Sequence, residues 1–202
     1  MKENHYLVPT QLEGLEKNIS HTITTPTTED AEDWFVDAKE RLLDVNNWKK
    51  FSGIADVEFK LTDVNGRIVN RRARRGDLIR IDIAGRGYEF DGGFEWTAIE
   101  AIEYDDYPDI CMETFAMRLR PSANPMSKNN DVFADFSDNE ATSTFVIERI
   151  GKKLSAYYHG RNEQGDLELV SLGQGQEPEI AKIAWLGLSD VACKALIKGF
   201  VE

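Results

Sequence analysis

Three histidines, His5, His21 and His159, and two cysteines, Cys111 and Cys193, carry most of the side-chain chemistry this sequence offers at neutral pH. No histidine stands four residues from another or beside a cysteine, so the spacing predicts no metal site and no Cys/His nucleophile pair. His159 stands out because SAYYHGRNE gathers Tyr157, Tyr158, His159, Arg161 and Glu163 near a strand end. An imidazole with an ordinary pKa of about 6.5 serves as acid or base. His159 is therefore the one catalytic candidate, provided it faces an interior with Glu103 or Glu113 nearby. The competing reading is a partly exposed histidine at the end of a strand.

The stretch NRRARRGDLIRI, residues 70–81, concentrates five arginines in a chain of net charge −12 and pI near 4.8. Arg71, Arg72, Arg74 and Arg75 are candidates for contact with an anion or an acidic partner. Strand alternation, however, places Arg67, Arg71 and Arg75 on one face and Arg72 and Arg74 on the other. A nucleic-acid groove gathers its charge and adds aromatic rings for stacking, and no aromatic residue lies between Phe59 and Tyr88. The acidic molecule also repels polyanions, so no nucleic-acid partner is expected. A solvated or ion-paired strand, with Asp56 and Glu58 across a hairpin, is the plainer reading. Arg75-Gly76-Asp77 matches an integrin-binding tripeptide by coincidence.

Other chemistry is missing. GRGYEFDGG lacks the helix a dinucleotide loop requires, and no Walker loop or G-x-S-x-G elbow occurs. Asp131, Asp135, Asp138 and Glu140 do not keep the glycine and glutamate spacing of a calcium loop. No cofactor and no metal are expected. Two distant cysteines suit a reducing compartment, and no stretch approaches the roughly 18 apolar residues that span a bilayer. The start of the chain lacks the apolar core of a signal peptide. The expectation is a soluble cytoplasmic protein without stable membrane association, its oligomeric state undetermined.

The elements that must position these residues follow from periodicity. Residues 1–18 form an arm docking Leu7, Val8, Leu12 and Leu15, and 19–202 form one domain. A short strand at 19–25 precedes a helix opened by Thr27-Thr28, with Glu29, Asp30, Glu32 and Asp33 favoured by the dipole of its first turn. Its apolar face reads Ala31, Trp34, Phe35, Ala38, Leu42 and Val45, closed by Asn46-Asn47. Strands are predicted at 56–64, 67–72, 78–84, 96–104, 110–119, 142–150 and 153–160. Asn65-Gly66 fits a two-residue type I′ turn and Gly151-Lys152 a type II′ turn. The segment 120–141 is too long and polar for a hairpin. Pro178 starts a closing helix that runs to about Gly199.

This order, with the helix ending in LLDVNNWKKFSG, the segments GDLIRIDIAGRG and FEWTAIEAIEYDD, and the terminal helix, resembles the helix-grip fold of the START-like or Bet v 1-like (SRPBCC) superfamily. The resemblance spans about residues 19–200. It implies an α+β fold in which a curved antiparallel sheet of six to seven strands grips a long carboxy-terminal helix and encloses a cavity for sterols, lipids, polyketides or other apolar molecules. The implied function is a binding or carrier protein for an apolar small molecule or lipid, with 120–141 as a lid. An enzyme of the same fold using acid/base chemistry, and a basic-ribbon interaction module, are the alternatives.

Alternation selects the candidate ligand-lining residues. Ile79, Ile81 and Ile83 share one face of a strand; Phe115, Met117 and Leu119 share another with Cys111. On the terminal helix Ala184, Gly187, Leu188 and Val191 join them, and the small residues leave space beside the sheet. The same positions serve equally as core, since burying each large one contributes about 1.5–3 kcal/mol without any ligand.

Overall fold

The computed structural model describes residues 7–84, 94–127, 140–163 and 188–202, together with the backbone of Leu167–Val170 and Glu179–Lys182. Seven antiparallel strands form one sheet: β1 (Leu15–Thr24), β2 (Val57–Thr62), β3 (Leu78–Ile83), β4 (Glu95–Tyr107), β5 (Met112–Pro121), β6 (Thr142–Ile150) and β7 (Lys153–Glu163). Their spatial order is β1-β7-β6-β5-β4-β3-β2, so the first two strands in sequence lie at opposite edges. Two helices bridge that separation: α1 (Thr28–Leu43) and α2 (Trp48–Ser52), joined by a 3-10 turn over Val45–Asn47. The terminal helix α3 (Asp190–Val201) packs on β1 and β7 and against α2. A separate pair, β8 (Leu167–Val170) and β9 (Glu179–Lys182), and a 3-10 turn over Pro108–Ile110 between β4 and β5 complete the described elements. This is the α+β helix grip.

The local chemistry explains α1. The Thr27 hydroxyl accepts from the Asp30 N–H at 3.0 Å while the Asp30 carboxylate accepts from the Thr27 N–H at 3.1 Å, a reciprocal cap that satisfies two otherwise orphaned donors. Ala31, Phe35, Ala38 and Leu42 are buried on one stripe. Trp34 is not part of it: it is 45% exposed, one position off the stripe's centre. Gly53 ends α2 in the left-handed conformation at φ 69°. Gly199 allows α3 to approach α2, because a side chain there would meet the carbonyl carbon of Phe51 at 2.6 Å.

The predicted strand at 67–72 does not form. Only an isolated bridge from Thr62 to Ile68 pairs it to β2, and β2 runs instead beside β3 in the register Phe59 to Ile81 and Leu61 to Ile79. The turn also differs from the type I′ expectation: Gly66 alone is left-handed at φ 78°, while the Asp63 carboxylate accepts from the N–H groups of Asn65 and Arg67. Asp63 thereby caps a wider loop that a two-residue turn would not accommodate. The Gly151-Lys152 loop is two residues long, with Gly151 at φ 56°, as expected.

The closing helix is shorter than the predicted 178–199. Glu179–Lys182 is a strand paired with Leu167–Val170, and the helix begins at Asp190, where the Ser189 hydroxyl accepts from the Ala192 N–H at 3.2 Å. Glu179–Lys182, two charged residues around Ile180-Ala181, is too short for periodicity to settle, and backbone pairing with β8 makes it a strand. Pro178 and residues 128–139 of the predicted lid lie outside the described residues. Among the described residues no helix is long and apolar enough to cross a membrane.

Candidate functional site

The inner face of the sheet, the helices α1 and α2 and the helix α3 enclose one apolar core. Trp48 stands in its middle, edge-on to Phe59, Phe145 and Phe200 at centroid distances of 5.3, 5.4 and 5.6 Å. Ile79, Ile81, Phe115, Met117 and Leu188 are buried in the same cluster, and Ile83 packs at its margin. Two of the expected lining residues are placed otherwise. Val191 is 78% exposed, since the second residue of α3 turns away from the sheet, and Cys111 is exposed in a left-handed turn at φ 50°, before β5 begins. Ala184 and Gly187 lie outside the described residues.

The inward-facing polar chemistry sits beside this core, on β6, β7 and the start of α3. Tyr158 is fully buried; its hydroxyl lies 2.8 Å from the Ser143 hydroxyl and donates to Oε1 of Glu163 at 2.9 Å. Glu163 is also fully buried, and its Oε2 has no hydrogen-bond partner among the described residues. Burial pushes the Glu163 carboxyl above its usual range, and it pushes the Tyr158 hydroxyl well above the ordinary tyrosine value. The Cys193 thiol on α3, also desolvated, is pushed up to about 12 and stays protonated. Lys17 of β1 pairs with Asp190 at the start of α3 at 2.6 Å, bringing one cation and one further acid beside Glu163.

Tyr158 and Glu163 are five residues apart, an odd spacing that regular pleating sends to opposite faces. A bulge brings them together. Leu15 pairs with Glu163 but Lys17 pairs with Gly160, so β7 carries one extra residue there, and Asn162 adopts φ 53° to absorb it. Gly160 completes the arrangement, because a side chain at that position would meet the Glu163 carboxyl carbon at 2.6 Å. This is why alternation alone did not single out Glu163. The available signal was an asparagine, which tolerates the left-handed region, two residues after a glycine at a strand end.

His159 faces the opposite way. It shares the outer face with Tyr157, stacked at 5.8 Å and 12°, and its Nδ1 donates to Oδ1 of Asn18 at 2.7 Å. Neither Glu103 nor Glu113 meets it: Glu113 accepts from Tyr104 at 2.8 Å and from Arg149 at 2.6 Å. His159 is thus buried on the outer face, at 5% exposure, and stands apart from the inner-face core.

The arginines are also largely committed. Arg71 makes a two-point pair with Asp77, at 2.6 and 2.8 Å, and Arg72 bridges Glu40 at 2.8 Å and Asp44 at 2.7 Å on α1. The partners differ from the expected Asp56 and Glu58 because the segment is a connector that folds back over α1 and not a strand. Arg74 and Arg75 are exposed. Two of the four candidate anion-contact residues thus staple the fold.

The strand order and closing helix define the architecture: a seven-stranded antiparallel sheet packed on a carboxy-terminal helix, the α+β helix grip. No protein-family model matches the chain, and no curated protein matches it. Among solved structures it is similar to truncated norcoclaurine synthase from Thalictrum flavum, at 11% identity over 76% of this chain and 81% of that one, with a TM-score of 0.35. It is likewise similar to a ginseng major latex-like protein from Panax ginseng, at 12% identity over 73% and 78% with a TM-score of 0.33. A protein from Mycobacterium smegmatis matches at 17% identity over 76% and 78%, with a TM-score of 0.35.

Proposed function

We propose that this protein binds an uncharged, mostly apolar small molecule at the inner-face end formed by Ser143, Tyr158, Glu163 and Leu188. The observation that carries the reading is Glu163: a carboxyl with no exposed surface, whose Oε2 lacks a partner among the described residues. A buried polar atom without a partner costs about 1–3 kcal/mol, and it recovers that cost when a bound molecule supplies a hydrogen bond. Ligand sites are built this way, from apolar walls with a few polar groups that fix orientation. A neutral ligand is favoured because burial already opposes charge on Glu163. The test is titration with the neutral fluorophore N-phenyl-1-naphthylamine, alongside native mass spectrometry of freshly purified protein. Binding that is lost in Ser143→Leu, which fills this end, supports the reading. No probe binding and no co-purifying molecule would sink it.

The same carboxyl favours a second reading, an enzyme of this fold in which Glu163, not His159, donates a proton to an apolar substrate. Glu163→Gln separates the two. It removes turnover but not binding if the carboxyl is an acid, and alters binding alone if it is an anchor.

A further inference from the structure

The described part of the amino-terminal arm reaches the sheet on its outer face, where Leu7 is buried with Ala116 and Val146 and its carbonyl accepts from Arg118 at 3.0 Å. Its tightest attachment is elsewhere, at the β7 bulge. Oδ1 of Asn162 accepts from the backbone N–H groups of Leu12 at 2.7 Å and Glu13 at 3.2 Å. In return the Asn162 N–H donates to Oε1 of Gln11 at 2.9 Å, and Nδ2 donates to the Glu140 carbonyl at 3.2 Å. Gly14 then passes so close to β7 that a side chain there would stand 2.6 Å from the Glu163 carbonyl oxygen. One residue in a left-handed conformation thus ties together the arm, the entry to β6 and the strand position next to the buried carboxyl.

We propose that Asn162 is a positioning residue: by clasping residues 11–13 of the arm it holds the β7 bulge in the register that turns Glu163 inward to Tyr158. The functional consequence, though not the clasp, rests on the reading of that end as a ligand site. The physical basis is the marginal cost of the alternative register. Removing the extra residue's left-handed turn restores regular alternation and sends residue 163 to the outer face. The clasp's three bonds between Asn162 and the arm bias β7 against that slip. Loosening the arm is therefore coupled to the inner face through a strand only one residue thick.

The experiment uses the full chain with a carboxyl-carbon NMR titration of Glu163, arm hydrogen exchange and the same naphthylamine probe. The groups facing Glu163 are Tyr158 and Arg161 on β7, Lys17 on β1, and Asp190 and Cys193 on α3, and none is altered. Asn162→Gly still permits the left-handed backbone but no longer enforces it, because it removes both side-chain bonds to Leu12 and Glu13 and leaves only the backbone N–H to Gln11. Its Glu163 titration should fall toward the ordinary carboxylate value, arm protection should be lost, and probe affinity should drop about tenfold, the equivalent of one hydrogen bond. Asn162→Asp, which still accepts from Leu12 and Glu13 and tolerates the left-handed region, should keep all three near their wild-type values. Should Asn162→Gly fail to fold, Leu12→Pro removes one donor from the arm without touching β7 and carries the same expectation. A raised Glu163 titration that survives arm release in these variants overturns the proposal. A fall in that titration with no probe binding in the wild type keeps the clasp and rejects the ligand site.

Discussion

Trp48 donates its indole N–H to the carbonyl of Leu42 at 3.0 Å, folding α2 back beneath the end of α1. That bond fixes the ring at the centre of the grip, where Phe59, Phe145 and Phe200 surround it. The middle of the inner face is therefore filled by the protein's own aromatic side chains. What distinguishes the Ser143, Tyr158 and Glu163 end is that hydroxyl and carboxyl groups stand beside the last ring, Tyr158, which packs on Phe145 at 5.3 Å. A ligand bound as proposed would meet a packed aromatic wall on one side and the carboxyl of Glu163 on the other.

Replacing Trp48 tests the first half of that division. Trp48→Ala deletes a fully buried ring and its hydrogen bond, and should destabilise the fold by about 3–5 kcal/mol in urea unfolding. Probe affinity at the polar end should change little by comparison. A loss below about 1 kcal/mol would show that the ring is not the centre of the core.

The basic connector yields a contrast between two ion pairs of similar length. Asp77 has 8% of its side chain exposed, accepts both N–H groups of Arg71 and also accepts from the backbone of Arg74 at 2.9 Å. Arg72 and Glu40 are 48% and 45% exposed. Asp77→Ala should cost about 2 kcal/mol, less than a fully buried pair because Arg71 regains water, while Arg72→Ala should cost under about 1 kcal/mol. Denaturant midpoints of the two variants measure the difference, and equal losses would contradict it.

The parts of this fold set by short-range chemistry were readable from the sequence. The Thr27 cap, the Ala31, Phe35, Ala38 and Leu42 stripe, the β6–β7 hairpin at Gly151 and the inward stripe of Ile79 and Ile81 depend on neighbours within a few residues. The strand expected at 67–72 was not, because Arg72 is held by Glu40 of α1 and by Asp44 at its end, some thirty residues away, and Arg71 by Asp77. The site was least legible. Alternation placed His159 and Tyr158 on opposite faces but could not say which face was inside. It also had no means of foreseeing that one left-handed asparagine would reverse the parity before Glu163. Register slips of one residue change every side chain's face, so they dominate the error in reading a strand-borne site.

Stability against pH tests Glu163 apart from any ligand. Burial raises the carboxyl's pKa in the folded protein above its unfolded value near 4.5, so the stabilisation linked to its protonation is fully present below that value and is lost as pH rises through the folded pKa. Glu202 works in the opposite sense. Its hydrogen bond with His21 holds its carboxyl below the usual range, so its contribution is present above its unfolded pKa and is lost on acidification. Comparing Glu163→Gln with the wild type cancels Glu202, which both proteins retain. Glutamine keeps an acceptor for the Tyr158 hydroxyl and cannot ionise. Relative to the wild type, the variant should gain stability as pH rises from 5 to 8, and urea midpoints at the two ends measure that gain. A difference between the two proteins that does not change with pH would mean that Glu163 titrates as an ordinary solvated carboxyl and is not the buried group from which the site is built.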